Sequence, residues 1–103
     1  MILSTTEYIS GKELEILGLV QGNVVQTKSI KKDLKAVRKN FVGGEIEDYT
    51  DLLKESYGIA TERMIQAAKD MGADAIIAVR YSTSSIVESA SEVMAYGTAV
   101  KFI

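Results

Sequence analysis

The 103-residue sequence contains no cysteine, histidine, tryptophan or proline. Without cysteine, disulfide scaffolds, thiol redox chemistry and thiolate metal sites are excluded. Without histidine, the chain also lacks the commonest general base and the commonest transition-metal ligand. Any catalytic or metal chemistry would therefore have to use carboxylates, amines, hydroxyls or thioethers.

The overall composition is that of one small globular domain, expected to span residues 1–103. Apolar residues make up 47% of the chain, and the net charge of −2 gives no general attraction to nucleic acid or to an anionic membrane. No apolar run approaches the ~18 residues of a membrane span, and the start, Met1 to Glu7, lacks the pattern of a secretion signal. We expect a cytoplasmic protein that buries further surface by associating with copies of itself.

Two strands are predicted in the first quarter of the chain. Ile2 to Thr6 is a short first strand. Glu13 to Thr27 is rich in Leu, Ile and Val, and we interpret it as one long strand bent at Gly18 and Gly22, since glycines within strands often mark bulges or close backbone approach. A hairpin that turns at Gly22-Asn23 is the alternative.

Apolar residues at helical spacing predict two helices. The first runs from Ser29 to Phe41, and the second from about Glu47 to Met71. Gly72 suits the position after a helix end. Gly58 should cost the second helix about 1 kcal/mol relative to alanine, and close packing there is one way to offset that cost. The apolar face of the second helix comprises Tyr49, Leu52, Leu53, Tyr57, Ala60, Met64, Ala67, Ala68 and Met71.

Two further strands complete the fold. Ala75 to Val79 is a continuous apolar run, typical of a strand covered on both faces, and Ser82 to Ser85 is interpreted as a polar connection. Glu92 to Phe102 forms the last strand, one face of which carries only small residues and permits close packing by a helix or another subunit. The fold class is α+β: a single layer of two helices on a mixed β-sheet, in the order β-β-α-α-β-β.

Four motifs follow one another along the chain. They are Leu17-Gly18-Leu19-Val20-Gln21-Gly22, Val42-Gly43-Gly44, the helix from Tyr49 to Gly72-Ala73-Asp74-Ala75, and Ala95-Tyr96-Gly97-Thr98-Ala99-Val100. In order and spacing they resemble the YbjQ-like family of uncharacterised bacterial and archaeal proteins. The resemblance covers nearly the whole chain and implies a small βα domain that assembles as a ring, a homopentamer. It also implies the heavy-metal-binding label that the family carries.

The chain offers few ligands for a soft metal, because such metals select thiolate and imidazole. Sulfur comes only from Met1, Met64, Met71 and Met94, and Met64 and Met71 are expected to fill the core. A hard cation such as Ca²⁺ is an alternative, because four carboxylates follow the Gly-Gly pair and a ring would multiply them. Helix capping explains the same acids at least as well. The weak metal candidates are Glu45, Glu47, Asp48 and Asp51.

The first predicted helix carries half of the chain's twelve basic residues on the face opposite its apolar stripe, within residues 28–39. Such a face could meet phosphates, an anionic membrane surface or an acidic partner, although a solvated face is the simpler interpretation. No aromatic residue interleaves with the lysines, so the stacking platform of a single-strand nucleic-acid binder is missing and no nucleic-acid partner is expected. The candidate anion-binding residues are Lys31, Lys32, Lys35 and Arg38.

No catalytic residue emerges from the sequence. A serine or threonine nucleophile needs an activating base, and only Lys, Asp, Glu or Tyr could supply one here. Tyr96 with Thr98, and the segment Ser82 to Ser85, are conceivable participants. The leading hypothesis is a non-enzymatic, homo-oligomeric binding or scaffold protein with no cofactor. The alternatives are a small-molecule or hard-cation binder with sites at subunit boundaries, and an anion-directed adaptor.

Overall fold

The computed structural model describes residues 1–26, 46–87 and 90–103, with side chains in the helix from Asp51 onward. The described part is an α+β fold with a mixed sheet, which confirms the predicted α+β class and the mixed sheet. The first predicted helix, Ser29 to Phe41, lies outside the described residues, so the order β-β-α-α-β-β remains a prediction. The described elements are β1 (Ile2–Leu3), β2 (Leu14–Gln26), α1 (Ile46–Asp70), β3 (Ala75–Val87) and β4 (Ala90–Phe102).

The four strands form one sheet in the order β1-β3-β4-β2. β1 is parallel to β3, and the other two pairings are antiparallel. The predicted strand Ala75 to Val79 is confirmed, but the polar connection at Ser82 to Ser85 is wrong, because β3 continues through it to Val87. Strand pairing satisfies the backbone whatever the side chains are, and this half of β3 is exposed, so polar residues are tolerated there.

β2 is one long, bent strand, as predicted, and the alternative hairpin at Gly22-Asn23 is wrong. Its pairing with β4 continues through both residues, opposite Ala95 and Met94. The bend is a bulge between Ile16 and Gly18, where Gly18 adopts a φ of 149°. Glycine reaches this backbone conformation without a Cβ clash, which is why the bulge falls there.

Helix α1 covers one face of the sheet, which we call the helix-side face. It runs antiparallel to β2, because Gln26 donates a hydrogen bond to the carbonyl of Leu52 while Gly18 lies near Met71 at the other end. The small-residue face of β4 is the one beneath the helix, as one of the two predicted packings requires. The buried residues of this core are Val20, Ala60, Met64, Ala68, Ile76, Val79, Val93, Ala95 and Ala99.

The end of α1 follows the prediction closely. Gly72, with a φ of 79°, donates to the carbonyl of Lys69, and Ala73 donates to that of Ala68, which is the hydrogen-bond pattern of a Schellman motif. Two packing expectations are wrong. A Cβ added to Gly58 would meet nothing within 4 Å, so no close packing by the described residues offsets that glycine. Met71 lies just beyond the helix and is 42% exposed, whereas Met64 is fully buried.

A smaller core lies on the opposite face of the sheet. Ala75, Ile77 and Val100 are buried there, and Ile9, Leu14 and Phe102 pack against them. The segment between β1 and β2 therefore covers this end of the sheet. No helix in the described part of the chain has the length and apolarity needed to cross a membrane.

Candidate functional site

The charged site candidates are described in part only. Lys31, Lys32, Lys35 and Arg38 lie outside the described residues, as does Glu45, and the side chains of Glu47 and Asp48 are likewise outside them. Asp51, the remaining acid, is an exposed residue in the second turn of α1. The structure therefore neither assembles nor separates these clusters, and both the cation and the anion hypotheses stay predictions.

The two conceivable catalytic groups lie on different parts of the sheet. Tyr96 pairs with Gln21 on one side and Arg80 on the other, and with Thr98 it belongs to the face away from α1. The segment from Ser82 to Ser85 lies in the distal half of β3. The structure therefore does not bring Tyr96 and these hydroxyls into one site.

An open groove lies between the N-terminal half of α1 and the far end of the β3–β4 pair, where β3 ends and β4 begins. We call this the distal end of both strands. The volume of the groove is about 340 Å³, near the lower end of the ~300–1,000 Å³ typical of small-molecule sites. Its lining contains hydroxyls and apolar side chains but no lysine, arginine or carboxylate among the described residues. The lining residues are Leu53, Tyr57, Thr83, Ser84, Ser85, Ser91 and Val93.

The strand register determines which hydroxyls face the helix side. Val93 is buried beneath α1 and pairs with Thr83, while Ser85 pairs with Ser91, two residues from Val93. Residues directly opposite in an antiparallel pair share a face, as do alternate residues of one strand. Thr83, Ser85 and Ser91 therefore lie together on the helix-side face, and Ser84 lies on the other.

An aromatic pair supports the helix wall of the groove. The Tyr57 ring meets the Tyr81 ring edge to face, with centroids 5.4 Å apart and an interplanar angle of 86°. Thr61 lies one turn on from Tyr57, and its hydroxyl contacts the Tyr81 hydroxyl at 2.7 Å and donates to the carbonyl of Tyr57 at 2.7 Å. These contacts restrain the orientation of the Tyr57 ring.

Sequence reasoning placed Tyr57 on the apolar helix face and singled out the serines of β3, but it did not bring them together. Ser91, Val93 and Tyr81 were missed as site residues. The usable signal was spacing: Thr83 and Ser85 are two residues apart, as are Ser91 and Val93, and side chains two apart lie on the same face of a strand. It was obscured because the segment was interpreted as a connection.

The donor set of this chain does not fit a soft-metal site. The sequence has neither thiolate nor imidazole donors. Met64 is enclosed in the core, and within residues 1–26, 46–87 and 90–103 no three acidic side chains converge as metal ligands. The residues present thus give no support to heavy-metal binding through the usual ligands.

Comparison with known proteins identifies relatives along the whole chain. The model of the YbjQ_1 family, described as "Putative heavy-metal-binding", matches residues 1–103. A UPF0145 protein from Vibrio campbellii is 53% identical over 104 residues, and one from Clostridium novyi is 48% identical over 103 residues; each match covers 100% of both chains. A crystal structure of a DUF74-family protein of unknown function from Pediococcus pentosaceus shares the fold, with a TM-score of 0.70 and 17% identity, covering 100% of this chain and 98% of that one.

Proposed function

The chain belongs to the YbjQ-like family, and we propose that it is a homo-oligomeric binding or scaffold protein without catalytic chemistry of its own. The observation that carries the proposal concerns two unlike strand edges of one sheet, each without a partner strand among the described residues. The proposed setting is the cytoplasm, as expected from the sequence.

The first edge is the outer side of β2, and the second is β3 from Arg80 to Val87. β1 pairs only with Ala75 and Ile76, and the hydrogen bonds of the segment that follows β1 reach no further along β3 than Val79 and the Arg80 side chain. No other strand in the described part of the chain lies beside either edge. Long unpaired edges invite pairing with another chain, and soluble proteins normally cover them.

Exposed apolar side chains accompany both edges. Leu19 of β2 is 72% exposed, and Ile16 and Val25 are exposed beside it. Ile86 and Val87 are exposed at the distal end of β3. Contact between protomers would remove these side chains from water, a gain of about 25 cal/mol per Å² of apolar surface.

The two edges differ from each other, and that difference favours a ring. A contact between unlike surfaces is heterologous, so it propagates from one protomer to the next and ends only when the circle closes. A two-fold dimer would instead use one edge twice and leave the other unpaired. The number five is taken from the family resemblance and is part of the proposal.

The groove supports a binding role over a catalytic one. An attacking hydroxyl needs a base within hydrogen-bond reach. Among the described lining residues, Tyr57 is the only ionisable side chain, and it is a weak base when neutral. The hydroxyls of Thr83, Ser85 and Ser91 are suited to hydrogen bonding.

The test is the mass of untagged protein at micromolar concentration, measured by native mass spectrometry and light scattering. A tag of histidines would add the imidazoles that the chain lacks. We expect a closed oligomer, with five copies as the specific expectation. A monomer would overturn the proposal, and a dimer would overturn the heterologous ring.

Charge substitutions locate the contact. Leu19→Lys and Ile86→Lys are each expected to reduce the mass. Both side chains are exposed in the protomer, so neither substitution should cost more than about 0.5 kcal/mol of protomer stability. Tyr8→Lys is the matched control, because Tyr8 is 69% exposed in the segment between β1 and β2 and belongs to neither edge strand. Equal loss of mass in all three variants would contradict an edge contact.

A further inference from the structure

We propose that the groove between α1 and the distal ends of β3 and β4 binds one ring of a neutral, polyhydroxylated ligand, the chemical class of a saccharide. The inference assigns a ligand class to the binding role proposed above. It depends on the residues of a single protomer, so it can fail while the oligomer stands, and the reverse also holds.

The polar side of the groove is suited to hydroxyl groups. Thr83, Ser85 and Ser91 present three hydroxyls on one face of two paired strands. A hydroxyl both donates and accepts, so each can match a ligand hydroxyl in either orientation. Among the described residues, none of the three has a side-chain hydrogen bond to a protein group, although the chain forms such bonds at Ser56 and Thr61. They are therefore available to a ligand.

The opposite side of the groove is suited to the C–H face of a sugar ring. On the helix side, Leu53 supplies apolar surface and Tyr57 supplies an aromatic ring that contacts Tyr81. Val93 is buried among the strand residues beneath it. Apolar walls with a few placed polar groups are the usual composition of small-molecule sites. A saccharide ring carries the same two chemistries, with C–H groups on one face and hydroxyls around its rim.

Other ligand classes fit less well. An anion would meet no lysine or arginine among the described lining residues, and a cation would meet no carboxylate. Either charge would lose hydration without a paired group. A wholly apolar ligand would cover three hydroxyls and leave them unsatisfied, which also costs binding energy. The described lining therefore favours a neutral ligand that carries several hydroxyls.

The size of the groove limits the ligand to one ring. A volume of about 340 Å³ is close to the minimum for a small-molecule site. Few ligand atoms are engaged, and the groove is open, so we expect a dissociation constant of about 1–10 mM for a single sugar.

The experiment is a titration of the ¹⁵N-labelled, full-length protein followed by amide chemical shifts. The probes are methyl glucoside, methyl galactoside, methyl mannoside and inositol, each to about 50 mM, several times the expected dissociation constant. Glucuronate, glucosamine and cyclohexanol are the charged and apolar comparisons. We expect at least one neutral polyol to saturate, with shifts at residues 53–57, 83–85 and 91–93, and to bind more tightly than the comparisons.

Three outcomes overturn the ligand class. These are no saturable shift with any neutral polyol, shifts that map outside the groove, and binding of glucuronate, glucosamine or cyclohexanol that equals or exceeds that of the neutral polyols. Native mass spectrometry of the same sample keeps the two proposals apart. A ring that binds no polyol overturns the ligand alone, and a monomer that binds one overturns the ring alone.

Substitutions on the two paired strands test which face of the sheet binds the ligand. Ser85→Ala and Ser91→Ala should each weaken binding by about 2- to 10-fold, the range of one neutral hydrogen bond. Ser82→Ala is the matched control, because Ser82 pairs with Met94 on the face away from α1 and should leave the affinity unchanged. Equal weakening at Ser82, or none at Ser85 and Ser91, would refute the assignment even if the sugar binds.

Discussion

Replacement of Gly22 by alanine tests the central packing feature of this fold, the contact of α1 with β2. A Cβ at position 22 would collide with the carbonyl oxygen of Ala60 and the amide nitrogen of Met64, and it would lie 2.9 Å from the Cβ of Arg63. Two of these atoms belong to the helix backbone, which no side-chain rotation can move aside. The helix must therefore shift away from the sheet and loosen the core around Met64.

The expected cost follows from that displacement. Overpacking of a core costs about 1–3 kcal/mol, and a clash with backbone belongs at the upper end. The alanine also lowers the conformational entropy of the unfolded chain, which stabilises the folded state by about 0.4–1 kcal/mol. We expect a net loss of about 2 kcal/mol in the free energy of unfolding, against a total of about 5–15 kcal/mol for a chain of this length.

Urea unfolding followed by circular dichroism measures the loss, at one fixed protomer concentration because association shifts apparent stability. The melting temperature should fall by about 8–16 °C. Gly58→Ala is the matched control, since a Cβ there meets nothing within 4 Å and the residue is exposed in the helix. It should raise stability by about 1 kcal/mol. A Gly22→Ala variant within about 0.5 kcal/mol of the parent would refute the close approach of helix and sheet.

Three further substitutions probe other parts of the structure by the same unfolding measurement. Ala78 has a φ of 53°; Ala78→Gly should leave stability unchanged or raise it by up to about 1 kcal/mol, whereas the β-branched side chain of Ala78→Val should lower it by about 2 kcal/mol. Met64→Ala, at a fully buried position, should cost about 2–5 kcal/mol. Asp74 accepts a 2.8 Å hydrogen bond from the amide of Phe102, so Asp74→Ala should cost about 1 kcal/mol while Asp74→Asn, which keeps an acceptor, should cost less. A Met64→Ala loss below about 1 kcal/mol, or equal losses for either matched pair, would contradict these assignments.

Helical and strand periodicity predicted α1, β2 and β4 well, because each period reports which side chains must leave water. Helix α1 was placed within one residue at each end, and Gly72 was assigned its role from its position alone. The small residues of β4 correctly indicated close packing. These features depend on local chemistry, so a single sequence contains them.

The misses share a physical cause, since each depended on a partner element that the local sequence does not specify. Ser82 to Ser85 were interpreted as a connection because of their composition, but pairing with β4 makes them a strand. Gly22 was offered as a bend or a turn, whereas its role is to admit the helix backbone. Packing at Gly58 was offered only as a way to offset its cost in the helix, and no described residue packs there.

The position of α1 explains why a hydroxyl-rich groove exists at all. A 25-residue helix and a 13-residue strand are of similar length, about 37 Å and 43 Å. The helix is therefore long enough to reach the C-terminal half of β3. Among the described elements it leaves that half exposed because α1 lies mainly over β2 and β4. In the described part of the chain, β3 is buried up to Val79 and its residues are exposed from Arg80 onward, although Tyr81 still contacts Tyr57 of α1. Serine and threonine suit that stretch, because threonine favours the strand conformation and both hydroxyls are compatible with exposure to water. If a neighbouring protomer pairs with this edge, it adds a further wall to a groove whose hydroxyls and aromatic ring one protomer already supplies.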